Sequence, residues 1–248
     1  MKKTLFAILI LPIFYSAQAQ SPTKWLGHRA DLSHIQEVVN DYHMFGADGK
    51  KVGSMVFGFF YQEGKLVARD TSQFDDGSVY ETAEFGYDIG EGQLVYEHTA
   101  MSTPNADLDV DLTFQNKVAK GNIEVKRAAG EDSSFPIDQK LEYSVVRGEI
   151  YMLLHTLELV PGDTIQFGAL VTNSMQVSDA RLYYDGQESI TTALGSYDCD
   201  IYWLKTDGKM PDNKIWISRG SKRAIVKFHV PAAQLDIVLV SQRPSDKD

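Results

Sequence analysis

The sequence predicts a mainly β protein: a large curved antiparallel sheet, or an open or partly closed β-barrel, packed on one central helix over about residues 149–159. Three observations carry that expectation. Short segments rich in β-branched and aromatic residues recur at intervals of roughly 8–12 residues, with turn chemistry between them. Only one stretch has convincing helical spacing: Ile150, Leu153, Leu154 and Leu157 fall at i, i+3, i+4 and i+7 and draw one apolar stripe. A sheet of this many strands must curl or close to manage its edges, and a lone apolar helix must bury its stripe against it.

Residues 1–19 read as a secretory leader. Lys2 and Lys3 form a basic start, residues 5–14 an apolar run too short to span a bilayer, and Ala17-Gln18-Ala19 a small-x-small site with cleavage after Ala19. The expectation is therefore an exported bacterial protein, periplasmic or secreted, with one β-rich domain over residues 20–248 and no transmembrane segment in the mature chain. Residues 21–30 look like a polar entry without regular pattern. A short helix or irregular turn near Ser33 precedes a strand from about Val38, which turns at Gly46-Ala47-Asp48-Gly49.

A meander follows. Strands are expected over residues 53–61, 66–74, 79–87, 94–101, 108–114 and 118–127, with Asp75-Asp76-Gly77 the strongest hairpin signal. Residues 128–134 read as a polar loop leading to Phe135-Pro136. After the helix, stopped at Pro161-Gly162, come strands over 164–172, 178–184 and 188–192, the last two separated by a turn at Tyr184-Asp185-Gly186-Gln187. Residues 197–204 alternate, placing Tyr197, Cys199, Ile201 and Trp203 on one face. Strands over 215–218, 224–230 and 235–240 complete the chain before a charged tail.

Several of these segments carry a resemblance. The helix with the Leu-Glu-Leu-Val-Pro-Gly-Asp run ending at Asp163 is one. Others are Gly195-Ser196-Tyr197-Asp198-Cys199, Lys214-Ile215-Trp216-Ile217-Ser218, Ala224-Ile225-Val226-Lys227, and the opening run from Tyr42 through Gly46-Ala47-Asp48-Gly49-Lys50-Lys51-Val52-Gly53. Together they resemble an exported bacterial family known only as a domain of unknown function, and residues 93–138 match nothing in it. The resemblance implies a curved sheet wrapped partly around a helix, similar in outline to the open β-barrels of periplasmic lipoprotein carriers. It implies no catalytic residue. It places Gly162 and Gly195 at turns and Trp216 in the core.

Composition narrows the function classes. The chain has 24 basic and 34 acidic residues; losing Lys2 and Lys3 takes the net charge from −10 to −12 over the 229 residues left. Such a chain gains nothing from phosphate counterion release, so nucleic acid is excluded as a partner class. Cys199 is the one cysteine, so no intrachain disulfide can form, and Asp198 and Asp200 beside it raise its thiol pKa. It reads as a buried strand residue, with an intermolecular disulfide as the alternative. Asp107, Asp109 and Asp111 alternate with apolar residues and lack the Gly and Glu of an EF-hand loop; they read as a solvated strand face, with a weak cation site as the alternative. None of the six histidines has zinc-site spacing, and His155 reads as a hydrogen-bonded helix residue. No GxSxG elbow or phosphate loop is present, and Glu81 and Glu84 point to opposite faces of their strand. No metal, cofactor or catalytic residue is expected.

The aromatics point to a function. Phe57, Phe59 and Tyr61 share one strand face, and Tyr197 and Trp203 another. With Ile150, Leu153, Leu154 and Leu157 they are the candidate lining of an apolar cavity between helix and sheet. The leading expectation is non-enzymatic binding of a hydrophobic small molecule, lipid or lipidated segment in the cell envelope. An envelope scaffold that docks a protein partner through a sheet edge or acidic face, over a filled core, is the alternative. A polymer hydrolase would require a cleft with convergent carboxylates assembled from distant residues.

Overall fold

The computed structural model describes residues 23–141, 144–208 and 210–245. The leader and its cleavage site lie outside the described residues. Among those described, the chain forms seventeen strands and one α-helix. A two-stranded hairpin opens it, β1 (Thr23–Trp25) and β2 (His28–Ala30), followed by a 3-10 turn at Leu32–His34. Then come β3 (Val38–Phe45), β4 (Lys51–Gln62), β5 (Lys65–Phe74), β6 (Tyr80–Asp88), β7 (Gln93–Ser102), β8 (Ala106–Gln115), β9 (Val118–Arg127), β10 (Ser133–Lys140) and β11 (Ser144–Val146). The helix α1 (Arg147–Leu153) continues as a 3-10 turn at Leu154–Thr156. Strands β12 (Thr164–Val171), β13 (Gln176–Thr192), β14 (Gly195–Thr206), β15 (Asn213–Ser218), β16 (Ile225–Val230) and β17 (Leu235–Pro244) end it.

Fifteen of these strands make one sheet in the order β10-β9-β8-β7-β6-β5-β4-β3-β17-β16-β15-β14-β13-β12-β11. Neighbours run antiparallel throughout except β11, which pairs parallel to β12. The two ends of this order, β10 and β11, are consecutive in the chain. Lys140 and Ser144 are four residues apart, so covalent reach keeps them within about 14 Å. A sheet whose edge strands are held that close must wrap almost fully around. Among the described residues no ladder joins the two edges, so the barrel stays open.

The strands form where expected because their apolar residues alternate. In β8, Val110, Leu112 and Phe114 are buried, while Asp107, Asp109 and Asp111 face out as exposed acids. The concave face collects the main core around Ile150, Leu153, Leu154 and Leu157, all of them buried. Gly148 lets the helix approach the sheet: a Cβ there would lie 2.2 Å from the Phe85 ring.

Four expectations need correction. The helix covers Arg147–Leu153 plus one 3-10 turn, not residues 149–159: the chain is already extended at Leu157, whose residue pairs with Ala30 in a single bridge. The polar entry is the β1–β2 hairpin, turning at Leu26-Gly27 with both residues in the left-handed region. The segment read as a loop before Phe135-Pro136 leads into the edge strand β10, which sets only Ile137 against the core and is held by its ladder to β9. The Tyr184–Gln187 turn is a β-bulge inside the long strand β13; Asp185 is the extra residue, with Tyr184 paired to Tyr202 and Gly186 to Ile201.

Candidate functional site

Strands β4 to β8 place three parallel rows of side chains on the concave face. One runs Phe59–Ala68–Phe85–Glu97–Leu112, the next Phe57–Asp70–Ala83–Thr99–Val110, and the third Met55–Ser72–Glu81–Met101–Leu108. Three acids, one per row and one each from β5, β6 and β7, thus point inward where alternation calls for apolar residues. Opposite them, α1 begins with Arg147 and presents Tyr151.

Between these surfaces lies a cavity of about 320 Å³. Its apolar wall includes Met44, Met55, Phe57, Phe74, Phe85, Tyr151, Phe228 and Ile237; its polar groups are Asp70, Ser72, Glu81, Glu97, Thr99, Arg147, Thr172, Asn173 and Asn213. The size and the mix of broad apolar wall with a few convergent polar groups are those of a small-molecule site.

The electrostatics concentrate at the acids. Glu97 is only 2% exposed. Its Oε1 accepts from Thr99 Oγ1 at 3.0 Å and from Thr172 Oγ1 at 2.6 Å. Its Oε2 is buried and has no hydrogen-bond partner among the described residues. Burial pushes the Glu97 carboxyl up to about 7, against the two hydroxyls and Arg147, which favour the ionised form. Burial likewise raises Asp70 to about 7, helped by the negative charge of Glu81; the Ser72 hydroxyl, which donates to Asp70 at 3.2 Å, and Arg147 pull the other way. Arg147 feels both Glu81 and Asp70 and is hydrogen-bonded to Tyr151.

The far end of the helix is built differently. Arg223, 5% exposed, donates to the Leu157 carbonyl, to Asp200 Oδ2 at 3.1 Å and to the Tyr202 hydroxyl at 3.0 Å. His155 Nδ1 lies 3.1 Å from the Arg223 carbonyl, and its ring stands edge-on to Phe59 at 5.0 Å. Burial lowers its pKa to about 4, so it is neutral near pH 7. This is a structural knot outside the lining of the cavity, and within it Nε2 of His155 is buried with no hydrogen-bond partner among the described residues.

The candidate residues divide among three places. Phe57 lines the cavity. Phe59, Ile150, Leu153, Leu154 and Leu157 are packed core, and Tyr61 leans on that core with its hydroxyl donating to the Leu32 carbonyl at 3.3 Å. Tyr197 and Trp203 project from the other face of β14. There, Cys199, Ile201, Trp216 and Val226 form a small second cluster with Tyr197 against it, and Lys205 Nζ sits 3.8 Å from the centre of the Trp203 ring. Trp216 is buried as expected, but in this outer cluster, with its Nε1 donating to Glu188 at 2.8 Å. Cys199 is buried, and burial with Asp200, Asp198 and Glu188 pushes its thiol up to about 12.

Sequence reasoning passed over Asp70, Glu97 and Arg147. A signal was available: Glu97 stands between Val95 and Thr99, and Asp70 two residues from Ala68, at positions whose register makes them inward-facing. Reading it required the pairing, which places all three acids on one side.

No family model matches this chain, and no curated protein matches it. Solved structures do. A β-barrel-like protein of the domain-of-unknown-function family DUF1849, from Brucella abortus, is similar with a TM-score of 0.52 at 10% identity, over 85% of this chain and 98% of that one. Weaker likenesses are a protein described as a lipoprotein from Parabacteroides distasonis (TM-score 0.33, 11% identity, 85% of this chain and 96% of that one) and one described as exported, with a YmcC-like fold, from Bacteroides fragilis (0.32, 11%, 85% and 97%). What this chain shares with the first is a β-barrel-like fold.

Proposed function

We propose that this protein is an exported, non-enzymatic binding protein of the bacterial envelope that holds a hydrophobic ligand, such as an acyl chain or a lipidated segment, between α1 and the concave face of its sheet. The observation that carries this reading is the cavity of about 320 Å³ walled by Met44, Met55, Phe57, Phe85, Tyr151 and Phe228. The pocket opens to solvent on one side, so a ligand can enter it, and its apolar wall leaves exposed a surface whose burial by a ligand would be favourable. The expected leader, the acidic surface and the absence among the described residues of any helix able to cross a membrane fit this setting.

The convergent carboxylates that a polymer hydrolase would need do line the cavity. They sit, however, mostly among apolar side chains, and burial raises Asp70 and Glu97 alike instead of setting one apart as acid and one as base. Capture suits that arrangement better than hydrolysis.

The test is native mass spectrometry of the mature protein purified gently from a bacterial periplasm, with solvent extraction in parallel. A stoichiometric hydrophobic adduct is expected, and a Phe57→Glu variant should lose it. A wild-type protein that carries no adduct and takes up no added amphiphile would sink the reading.

A further inference from the structure

We propose that the polar pole of the cavity seats a protonated amine, so that the ligand is an amphiphile ending in a primary ammonium group. This inference rests on the reading of the cavity as a ligand site and assigns the chemistry of one end of that ligand.

The argument starts from an unfinished hydrogen-bond set. Glu97 is buried to 2% exposure, and its two hydroxyl donors, Thr99 and Thr172, both go to Oε1. Oε2 has no partner among the described residues. A buried polar atom left unpaired costs about 1–3 kcal/mol, and natural structures rarely carry one without a reason. Glu97 lines the cavity, so the missing partner has a place to come from.

Charge then decides what kind of partner fits. Facing the cavity are Asp70 from β5, Glu81 from β6, Glu97 from β7, and Arg147 and Tyr151 from α1; Thr172 from β12 adds a hydroxyl already given to Glu97. One guanidinium thus answers three carboxyl groups. An anionic head group would gain Arg147 and meet three acids. An ammonium group supplies the second cation and up to three donors, enough for Oε2 of Glu97 and for a neighbouring carboxylate. A neutral hydroxyl head could satisfy Oε2 but would leave the charge uneven.

The chemistry carries a proton signature. Burial holds Asp70 and Glu97 near neutrality in their titration, so part of each is protonated in the empty protein at pH 7. An arriving ammonium favours the ionised forms and displaces those protons. Amine affinity should therefore rise as pH goes from 6 to 8, while an alkanoate, drawing on Arg147 and neutral acids, should weaken over the same range.

Three probes of equal chain length separate these outcomes: decylamine, decanol and decanoate, each below its micelle concentration. Binding to the mature protein is measured by calorimetry at pH 6, 7 and 8 in buffers of differing ionisation enthalpy. The expected result is decylamine at least about tenfold tighter than either other probe at pH 8, with proton release and a smaller margin at pH 6. Glu97→Gln keeps an oxygen for Thr99 and Thr172; it should weaken decylamine about tenfold and leave decanol unchanged, and Glu81→Gln serves if that variant does not fold. Asp109→Asn removes one exposed acid from the outer face and should change nothing. Equal binding of the three probes, tighter binding of decanoate, or an Asp109→Asn loss as large as the Glu97→Gln loss would overturn the amine assignment while leaving a hydrophobic site in place. Failure of all three probes to bind would overturn the site itself.

Discussion

The two ends of α1 meet the same problem, a charged group inside the sheet, and answer it in opposite ways. Beyond the C-terminal end, Arg223 spends its donors on Leu157, Asp200, Tyr202 and Ser218, and its own carbonyl meets His155. Each of these partners belongs to the chain, although Nε2 of the buried His155 is left without a hydrogen-bond partner among the described residues. At the N-terminal end, Glu97 has one oxygen fully satisfied and the other unpaired, beside a space that protein atoms do not fill. Arg223 is satisfied by groups of its own chain and holds the fold together, whereas an unpaired carboxylate oxygen beside a cavity carries a cost that a bound partner would recover. Burial of a charge therefore does not by itself mark a functional site. What marks it is an unpaired buried atom on the wall of a cavity: His155 Nε2 is unpaired as well, but His155 does not line the cavity and Glu97 does.

The comparison can be broken most severely at Arg223. Arg223→Ala leaves the buried Leu157 carbonyl and Tyr202 hydroxyl without their donor, while Asp200 keeps Gln187 and Arg219, and should cost about 2–4 kcal/mol of stability in urea unfolding. A loss under about 1 kcal/mol would mean that the knot is ornamental and the contrast false. Gly148→Ala comes next. The new Cβ must displace the Phe85 ring in the cavity wall, at about 1–3 kcal/mol, and binding of a hydrophobic probe should weaken alongside it. If stability falls and binding does not, the N-terminal end of the helix is not part of the site.

The third effect has the most informative sign. A carboxyl whose folded pKa is raised from 4.5 to about 7 holds its proton in the folded state where the unfolded state has lost it. Its stabilising contribution is full below about pH 4.5 and is lost as pH rises towards 7. Glu97→Gln removes that loss, so the variant should gain about 2–3 kcal/mol relative to wild type as pH rises from 5 to 8. His155 works with the opposite sign: its depressed pKa makes it a liability as pH falls from 6.5 towards 4. Because His155 is common to both proteins, the difference between their unfolding curves isolates Glu97. A difference flat with pH would show Glu97 to be satisfied after all.

Much of the fold was legible in the sequence. The alternation in β8 reported both its buried face and its exposed Asp107, Asp109 and Asp111, because a strand with one wet side repeats every two residues. The stripe Ile150, Leu153, Leu154 and Leu157 located the one helix, although Met152, His155 and Thr156 are buried as well, so the stripe understates how completely the helix is enclosed. Strand β10 was not legible. Of its residues only Ile137 packs against the core, and Pro136 is tolerated because an edge strand leaves one side unpaired. The Asp185-Gly186 pair carries hairpin chemistry, yet β14 pairs continuously along β13 and absorbs the same residues as a bulge.

The sequence alone determined that this chain is a curved, mainly β protein around a central helix, with a lone cysteine in a strand and an excess of acidic residues, because period, turn chemistry and composition are local properties. Only the tertiary structure decided which strand faces meet. It put Phe57 at a cavity and Trp203 and Tyr197 on the opposite side of the sheet, and it aligned Asp70, Glu81 and Glu97 across three strands before Arg147. Alternation says that two residues share a face of their own strand. Whether that face looks inward, and at what, is set by register and curvature, which are properties of the closed assembly of strands and of no single stretch of chain.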